Sequence, residues 1–510
     1  MKDKWLDRQD IITKIIGYIS IALFALIILS KVFYLFDIIF FPIAIVGSVV
    51  LVLFCVIVFK FNNVISEKIS IVLSKLSSLS YSKMLISVIG LSLITKTIAI
   101  IVFQINSINH HPDINVYVTT SQDLVELGYA QHYADYCFSF SHMYWFAAFL
   151  TPVTALFGIS QIAYSVYLTI VLTIVAGLLF DLVTYVSTKE YAFSILLLFL
   201  LMPSQILLPQ YITHEIASLL FLSLFLWLYF KKFHQSKNRW KKATIFGLSL
   251  LALFFCSALN SLGLVAIFAA IIIYLIEIIR KRDKKALKYS AIKCISLVLV
   301  FVLGTLLLGA VQQNHSHLDP NKVPTNKVLW TLNVGSNYDS KGGWFLDEKW
   351  EDYPKSFDSK EIAAYHKELI NSHYMDLLNP PTKLLNHIKN KLVTVWGDFS
   401  YSISFSNETI TNDRVRQVYN RYLFKPLSLL NYFVLFAIAV WGLIGLIKSR
   451  KKSKPLIMVF FELYLLGTTA LLLITECSNK YVISIIPVFI IVSLIQNENV
   501  FQKLKPSSFK

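Results

Sequence analysis

The chain has 510 residues, of which 56% are hydrophobic and only 15% are charged, with a mean hydropathy of +0.62. This composition excludes an ordinary soluble protein, since such chains are about half apolar and about a quarter charged. The net charge of +17 is that of many nucleic-acid-binding proteins, but the basic residues stand in short segments between apolar runs, where they orient membrane spans. We therefore predict an integral membrane protein with no nucleic-acid partner.

Apolar runs of about 20 residues, the length that crosses about 30 Å of hydrocarbon, recur along the chain. The first run has no small-residue cleavage site, so we interpret it as a span and not as a cleaved signal peptide. The sequence predicts twelve spans, at residues 11–31, 37–59, 84–105, 161–183, 191–208, 213–230, 243–259, 262–279, 291–311, 427–447, 456–475 and 481–495.

One further apolar run, 142–158, is predicted to lie on the outer surface without crossing. The loop 106–141 contains four acidic residues and no Lys or Arg, which places it outside, whereas 231–242 contains six basic residues and no acid, which places it inside. An odd number of crossings must separate the two segments. The run 142–158 is therefore predicted to be an interfacial or re-entrant helix, and both chain ends are predicted to be cytoplasmic.

These assignments divide the chain into four parts. Residues 1–83 form two N-terminal spans and a cytoplasmic loop, 84–311 form the main membrane core, and 106–160 form its outer loop. Residues 312–426 form a large extracytoplasmic loop, and 427–510 form three C-terminal spans with a cytoplasmic tail. A structureless loop of that size would be unusual, and Leu385, Ile388, Leu392, Val395 and Trp396 share one predicted helical face within it.

Ionisable residues collect at the predicted outer ends of the spans, where they are costly and therefore often functional. Asp113 follows the third span, at the start of a stretch with helical spacing of apolar residues. His214 and Glu215 stand between the fifth and sixth spans, and Glu476 and Lys480 stand between the last two. The charge count that gave the topology did not require these residues to share one side.

Two motifs follow one another in the first outer loop: PDINVYVTTSQDLVELG from Pro112, and HYADYCFSFSHMYWFAAFLTPVTALFG from His132. Together with a second acid at Glu215 and a late acid, basic-Tyr pair and Pro (Glu476, Lys480, Tyr481 and Pro487), they resemble the pattern of GT-C superfamily glycosyltransferases. That group includes protein O-mannosyltransferases, aminoarabinose lipid A transferases and oligosaccharyltransferase catalytic subunits. The segments LNVGSNYDSKGGW and IKNKLVTVWGD resemble relatives from Gram-positive bacteria.

The resemblance implies an all-α, GT-C-like membrane enzyme in the cell membrane, with its active site on the outer side. Such enzymes move a sugar from a polyprenyl phosphate in the bilayer to an envelope polysaccharide, glycolipid or protein acceptor. Asp113 would be the general base, and Glu215 an assisting acid or metal ligand. The residues that would meet the donor phosphate or the substrate are Tyr117, His142, His214, Glu476, Lys480, Tyr481, Arg421 and Lys96.

Several alternatives stay open at this point. Glu215 could complement a helix dipole, Lys96 could form a salt bridge with Glu462, and Arg421 could contact lipid headgroups. A divalent metal is possible, although position 115 is Asn and the Asp-x-Asp pair of metal-dependent relatives is missing. A polysaccharide polymerase or ligase, and a lipid-linked sugar flippase or transporter, are the competing functions.

Overall fold

A computed structural model describes residues 3–38, 60, 75–108, 111–281, 284–316, 326–343, 358–397, 401–450 and 454–496. In these ranges the chain is mostly helical and contains no β-strand; an isolated bridge pairs Ile105 with Ile410. The prediction of an all-α, multi-pass membrane protein is confirmed, because eight of the described helices are long and apolar enough to cross a membrane.

The helices of the first half are α1 (Asp3–Ile38), α2 (Tyr81–Val102), α3 (Pro112–Glu126), α4 (Ala134–Ser139), α5 (Ser141–Phe157), α6 (Gln161–Val186), α7 (Lys189–Leu201), α8 (Pro203–Ile206), α9 (His214–Leu226), α10 (Arg239–Leu259) and α11 (Gly263–Lys281). The helices of the second half are α12 (Lys284–Ser316), α13 (Lys327–Ser336), α14 (Ser359–Leu378), α15 (Pro381–Leu392), α16 (Tyr401–Thr409), α17 (Asp413–Val418), α18 (Phe424–Ser449), α19 (Leu456–Ile474) and α20 (Ile486–Ile495).

Nine of the twelve predicted spans coincide with α1, α2, α6, α9, α10, α11, α12, α18 and α19, although the apolar part of α11 is short. The predicted span 191–208 is not one continuous helix, because α7 ends at Leu201 and the chain then turns at Pro203. Met202 has an extended backbone, as expected of a residue that precedes proline. The span 481–495 begins with a 3₁₀ turn before the ten-residue α20, and 37–59 lies almost entirely outside the described residues.

The N-terminal helix α1 packs into the same bundle as the C-terminal helices α18, α19 and α20. Phe24 is fully buried and stacks on Phe489, with ring centroids 5.3 Å apart. Glu462 accepts hydrogen bonds from Lys454 at 2.5 Å and from Ser20 at 3.2 Å. Buried charges need such partners because their desolvation is costly.

The alternative that paired Lys96 with Glu462 is therefore wrong, since Lys454 occupies that carboxylate. The ammonium of Lys96 instead donates to the Ser92 hydroxyl at 3.0 Å, one turn earlier in α2. Ser92 also accepts from Thr173 of α6 at 3.2 Å, so this polar contact joins two packed helices.

The predicted helix near 383–396 is confirmed as α15 and a following π-helical turn, Val393–Gly397, but its predicted apolar face is only partly buried. Leu385 is 67% exposed, whereas Trp396 is fully buried and donates from its indole nitrogen to Thr469 at 3.2 Å. The buried side of α15 includes His387 and Lys391, because both side chains donate to the Gly335 carbonyl. The hydrogen bonds of these two polar side chains, and not apolar periodicity alone, therefore determine which side of α15 is buried.

Candidate functional site

A carboxylate–ammonium pair forms the centre of the site. Pro112 stands at the first position of α3, where its missing N–H costs nothing, and His111 caps the helix by accepting from the Asp113 backbone N–H at 3.3 Å. Asp113 is thereby fixed in the first turn of α3. Its Oδ2 atom accepts from the Lys480 ammonium at 2.6 Å, and both side chains keep a small exposed fraction, 13% and 15%.

The two charges support each other in a largely buried place. Burial raises the pKa of the Asp113 carboxyl, but the charge and hydrogen bond of Lys480 outweigh burial and hold that pKa below its ordinary value. Burial likewise lowers the pKa of Lys480, yet Asp113 outweighs it and the pKa of the ammonium is raised well above its usual range. Both groups are therefore charged at neutral pH.

A second layer of polar side chains lies behind this pair. Tyr117, one helical turn after Asp113, shares a hydrogen bond of 2.7 Å between its hydroxyl and Nδ1 of His214. Nε2 of His214 lies 3.4 Å from Oε1 of Glu215, and the Thr213 hydroxyl donates to the other oxygen of that carboxylate. Glu215 is fully buried in the first turn of α9, and its Oε1 atom has no hydrogen-bond partner among the described residues.

A third contact brings in a residue that the sequence did not single out, Lys327. Its ammonium lies 3.0 Å from Nδ1 of His142, whose ring centroid is 4.7 Å from that of His214. Burial and the neighbouring ammonium lower the pKa of His142 well below its usual range, so the ring is neutral and accepts. Burial also lowers the pKa of Lys327 to about 8, although Glu476 opposes this shift.

The large loop 312–426 is hydrogen-bonded to the segment that carries Glu476. The backbone N–H of Glu476 donates to Thr331 at 2.8 Å, and Lys391 donates to Gly335 at 2.8 Å and to Thr475 at 2.7 Å. A Cβ at position 335 would lie 2.3 Å from the Thr475 carbonyl carbon, so this close approach requires the glycine of the LNVGSNYDSKGGW segment. Burial raises the pKa of the Glu476 carboxyl, while Lys480 opposes that shift.

A cavity of about 620 Å³ lies beside these groups. Its walls are mostly apolar side chains of α10, α12 and α19, and Lys327, Glu476 and Tyr481 line it together with Gln312 and Gln313. Among the wall-forming helices, α12 is the least covered, as its outward residues Leu306 and Leu307 are 66% and 65% exposed. The cavity is therefore an apolar chamber with polar groups from the loops in its lining, set beside a lipid-facing helix.

The structure brings together most of the residues that the sequence singled out. We call these residues, together with Lys327, the Asp113 cluster and define it as Asp113, Tyr117, His142, His214, Glu215, Lys327, Glu476, Lys480 and Tyr481. Two predicted members lie elsewhere: Arg421 is exposed in a π-helical turn, with its guanidinium 5.4 Å from the Tyr422 ring, and Lys96 is buried against Ser92 in α2.

Metal-binding geometry does not occur in the described part of the chain, where no three His, Cys, Asp or Glu side chains are placed to hold one ion. Lys327 and Lys391 are the site residues that the sequence analysis missed. Each is one of many lysines in the large loop, and neither stands at a spacing that distinguishes it. No known protein family, curated protein or solved structure matches this chain.

Proposed function

We propose that this protein is a membrane glycosyltransferase of GT-C type. It takes a sugar from a polyprenyl-phosphate donor and passes it to an acceptor on the outer face of the cell membrane, an envelope polysaccharide, glycolipid or protein. The observation that carries this proposal is the Asp113–Lys480 pair, 2.6 Å apart, next to a cavity that is apolar along its walls and lined at one part by Lys327 and Glu476.

The chemistry needs a base, a cation and a place for the lipid. In the proposed reaction the acceptor hydroxyl attacks the anomeric carbon, the bond from that carbon to the phosphate oxygen breaks, and the acceptor proton passes to Asp113. An ammonium group stabilises the charge that builds on the departing phosphate. His214, which is hydrogen-bonded to Tyr117, and neutral His142 position the groups around these two. The polyprenyl phosphate is the second product.

A lipid-linked donor fits the surroundings better than a free nucleotide sugar. The cavity walls are built from Phe254, Phe301, Leu308 and other apolar side chains, which would accept an isoprenoid chain. A polymerase or ligase that uses a diphosphate donor is the second candidate, because two ammonium groups, those of Lys327 and Lys480, lie in one cluster. A flippase would move the lipid without transferring the sugar.

The decisive experiment offers donors to the purified protein in nanodiscs. We expect transfer from a polyprenyl monophosphate sugar and none from nucleotide sugars alone. A glycine-to-tryptophan pair tests the cavity in the same assay: Gly309 lines it and Gly247 does not, and a Cβ at either position meets no atom within 4 Å. Gly309→Trp should lower transfer at least about tenfold by filling the chamber, while Gly247→Trp should be close to wild type.

Transfer from a nucleotide sugar without lipid carrier would contradict the donor assignment. Movement of the intact donor across the bilayer without sugar transfer would show that the protein is a flippase and not a glycosyltransferase. Equal activity of the two glycine variants would show that the donor does not occupy the cavity.

We further propose twelve spans, with both chain ends cytoplasmic and the Asp113 cluster outside. The test uses single Cys reporters in a background without the five native Cys. Leu127→Cys and Lys360→Cys, both at exposed positions, should react with an impermeant thiol reagent in intact cells. Gln235→Cys, exposed in the basic segment 231–242, should react only after permeabilisation. Labelling of Gln235→Cys in intact cells would overturn the proposed orientation.

A further inference from the structure

Lys327 is a partly buried ammonium that differs from most of the buried ones in its partners. Lys480, Lys454 and Lys293 each lie within 2.6 Å of a carboxylate oxygen. Lys391 donates to two backbone carbonyls. Lys327 forms no ion pair within the described part of the chain, and its hydrogen-bond acceptor there is the neutral ring of His142 at 3.0 Å. Lys96 is also bonded to a neutral group, the Ser92 hydroxyl, but Lys96 lies within α2 and does not line the cavity.

The position of Lys327 beside the cavity explains how the protein tolerates an ammonium that forms no ion pair with a described residue. Its side chain lines the cavity with Glu476, Tyr481, Gln312 and Gln313, whereas Lys480 does not line it. An ammonium without an anion is costly when buried, and here the cavity beside it has room for one. The arrangement is that of an anion site at the polar part of an apolar chamber.

Glu476 is the one carboxylate among the side chains that line this cavity. An ionised carboxylate would repel a bound phosphate. Burial, however, raises the pKa of Glu476 and so favours its neutral form, which can donate a hydrogen bond to a phosphate oxygen. Glu476 is thus compatible with an anion held by Lys327.

We propose that Lys327, and not Lys480, binds the phosphate of a lipid phosphate whose hydrocarbon chain occupies the cavity. This inference rests on the proposed function for the identity of the donor and divides the cluster into two tasks. Lys327 determines donor affinity, and the Asp113–Lys480 pair acts on the acceptor. Lys480 is unsuited to the first task because its charge is already compensated at 2.6 Å.

The test measures binding and needs no sugar transfer. Full-length protein in nanodiscs is titrated with farnesyl phosphate, with farnesol and with inorganic phosphate. We expect farnesyl phosphate to bind much more tightly than either fragment. Lys327→Met should raise the Kd for farnesyl phosphate by about 10- to 100-fold, the share of one charge-assisted hydrogen bond, and Lys327→Arg should restore most of the affinity. Lys480→Met and the exposed-site control Lys360→Met should change that Kd by less than about threefold.

The pH dependence provides a second readout. The groups that face Lys327 are His142, His214 and Glu476. The phosphate is already fully charged above pH 7, and the pKa of Lys327 is about 8. The cation is therefore present below that pH and lost above it, so affinity should fall as the pH rises past about 8, and this fall should be absent in Lys327→Arg.

Three results would overturn the inference: an unchanged Kd in a folded Lys327→Met protein, a larger loss in Lys480→Met, or inorganic phosphate binding as tightly as farnesyl phosphate. The last would show that the lipid chain lies elsewhere. Failure of the proposed function gives a different pattern, in which farnesyl phosphate binds through Lys327 but no sugar is transferred. Gel filtration and thermal unfolding of each variant identify loss of fold as the cause of lost binding.

Discussion

Replacing Asp113 by Asn should lower the turnover of sugar transfer by about 10²- to 10⁴-fold, the usual contribution of a general base. The amide keeps the shape of the carboxylate but cannot take the acceptor proton at neutral pH. Farnesyl phosphate should bind to this variant with nearly unchanged affinity, because Lys327 is untouched. Single-turnover assays with a polyprenyl monophosphate sugar measure the first effect, and the titration described above measures the second.

Asp135→Asn is the matched control, since Asp135 lies in the same loop and its side chain forms no part of the Asp113 cluster. Its turnover should stay within about twofold of wild type. Near-normal transfer by Asp113→Asn would move the base to another carboxylate, and Glu215 would be the next candidate. Because the Asp113→Asn substitution leaves the Lys480 ammonium without its carboxylate, the melting temperature of this variant should also fall, and activity must be compared at a temperature where it is folded.

Local features of the fold were predictable from the sequence because they depend on nearby residues. The helix that begins at Pro112 follows from the proline at its first position and from apolar side chains repeated at helical spacing, and α3 confirms it. Most of the long apolar helices follow from composition alone. The end of α7 at Leu201 could also have been predicted from Pro203. The apolar run continues past this proline, however, and led to the prediction of a longer span.

Long-range pairing was not predictable. The contact between Asp113 and Lys480 joins residues 367 positions apart, and a single sequence gives no register between the segments that carry them. Lys327 shows the same limit more clearly, because only the packing of α13 against the bundle distinguishes it from the solvated lysines of the loop. Lys96 shows the same limit for a cation inside a span: its predicted pairing with Glu462 is wrong, and its ammonium is bonded to Ser92 within its own helix.

Replacing Lys480 by Met should change the pH profile of transfer rather than the affinity for the donor. In the native protein Lys480 outweighs the effect of burial on Asp113 and keeps the pKa of that carboxyl below its ordinary value. Without the ammonium, burial is opposed only by the smaller effects of His111 and His214, and the pKa of Asp113 rises. A base works only when it is deprotonated, so the acid limb of the profile should move to higher pH.

The size of this effect follows from the logarithmic scale of the pKa. Each unit by which the Asp113 pKa rises lowers transfer on the acid limb by about tenfold, whereas at alkaline pH the rate should recover towards that of the wild type. Lys480→Arg should keep the native profile, because it keeps the charge. The measurement is of kcat and KM for the donor from about pH 5 to about pH 9, the range in which a buried carboxylate titrates. It separates an effect of Lys480 on the base from an effect on donor binding. A raised KM for the donor with an unshifted profile would mean that Lys480 binds the phosphate, and it would contradict both this prediction and the assignment of that task to Lys327.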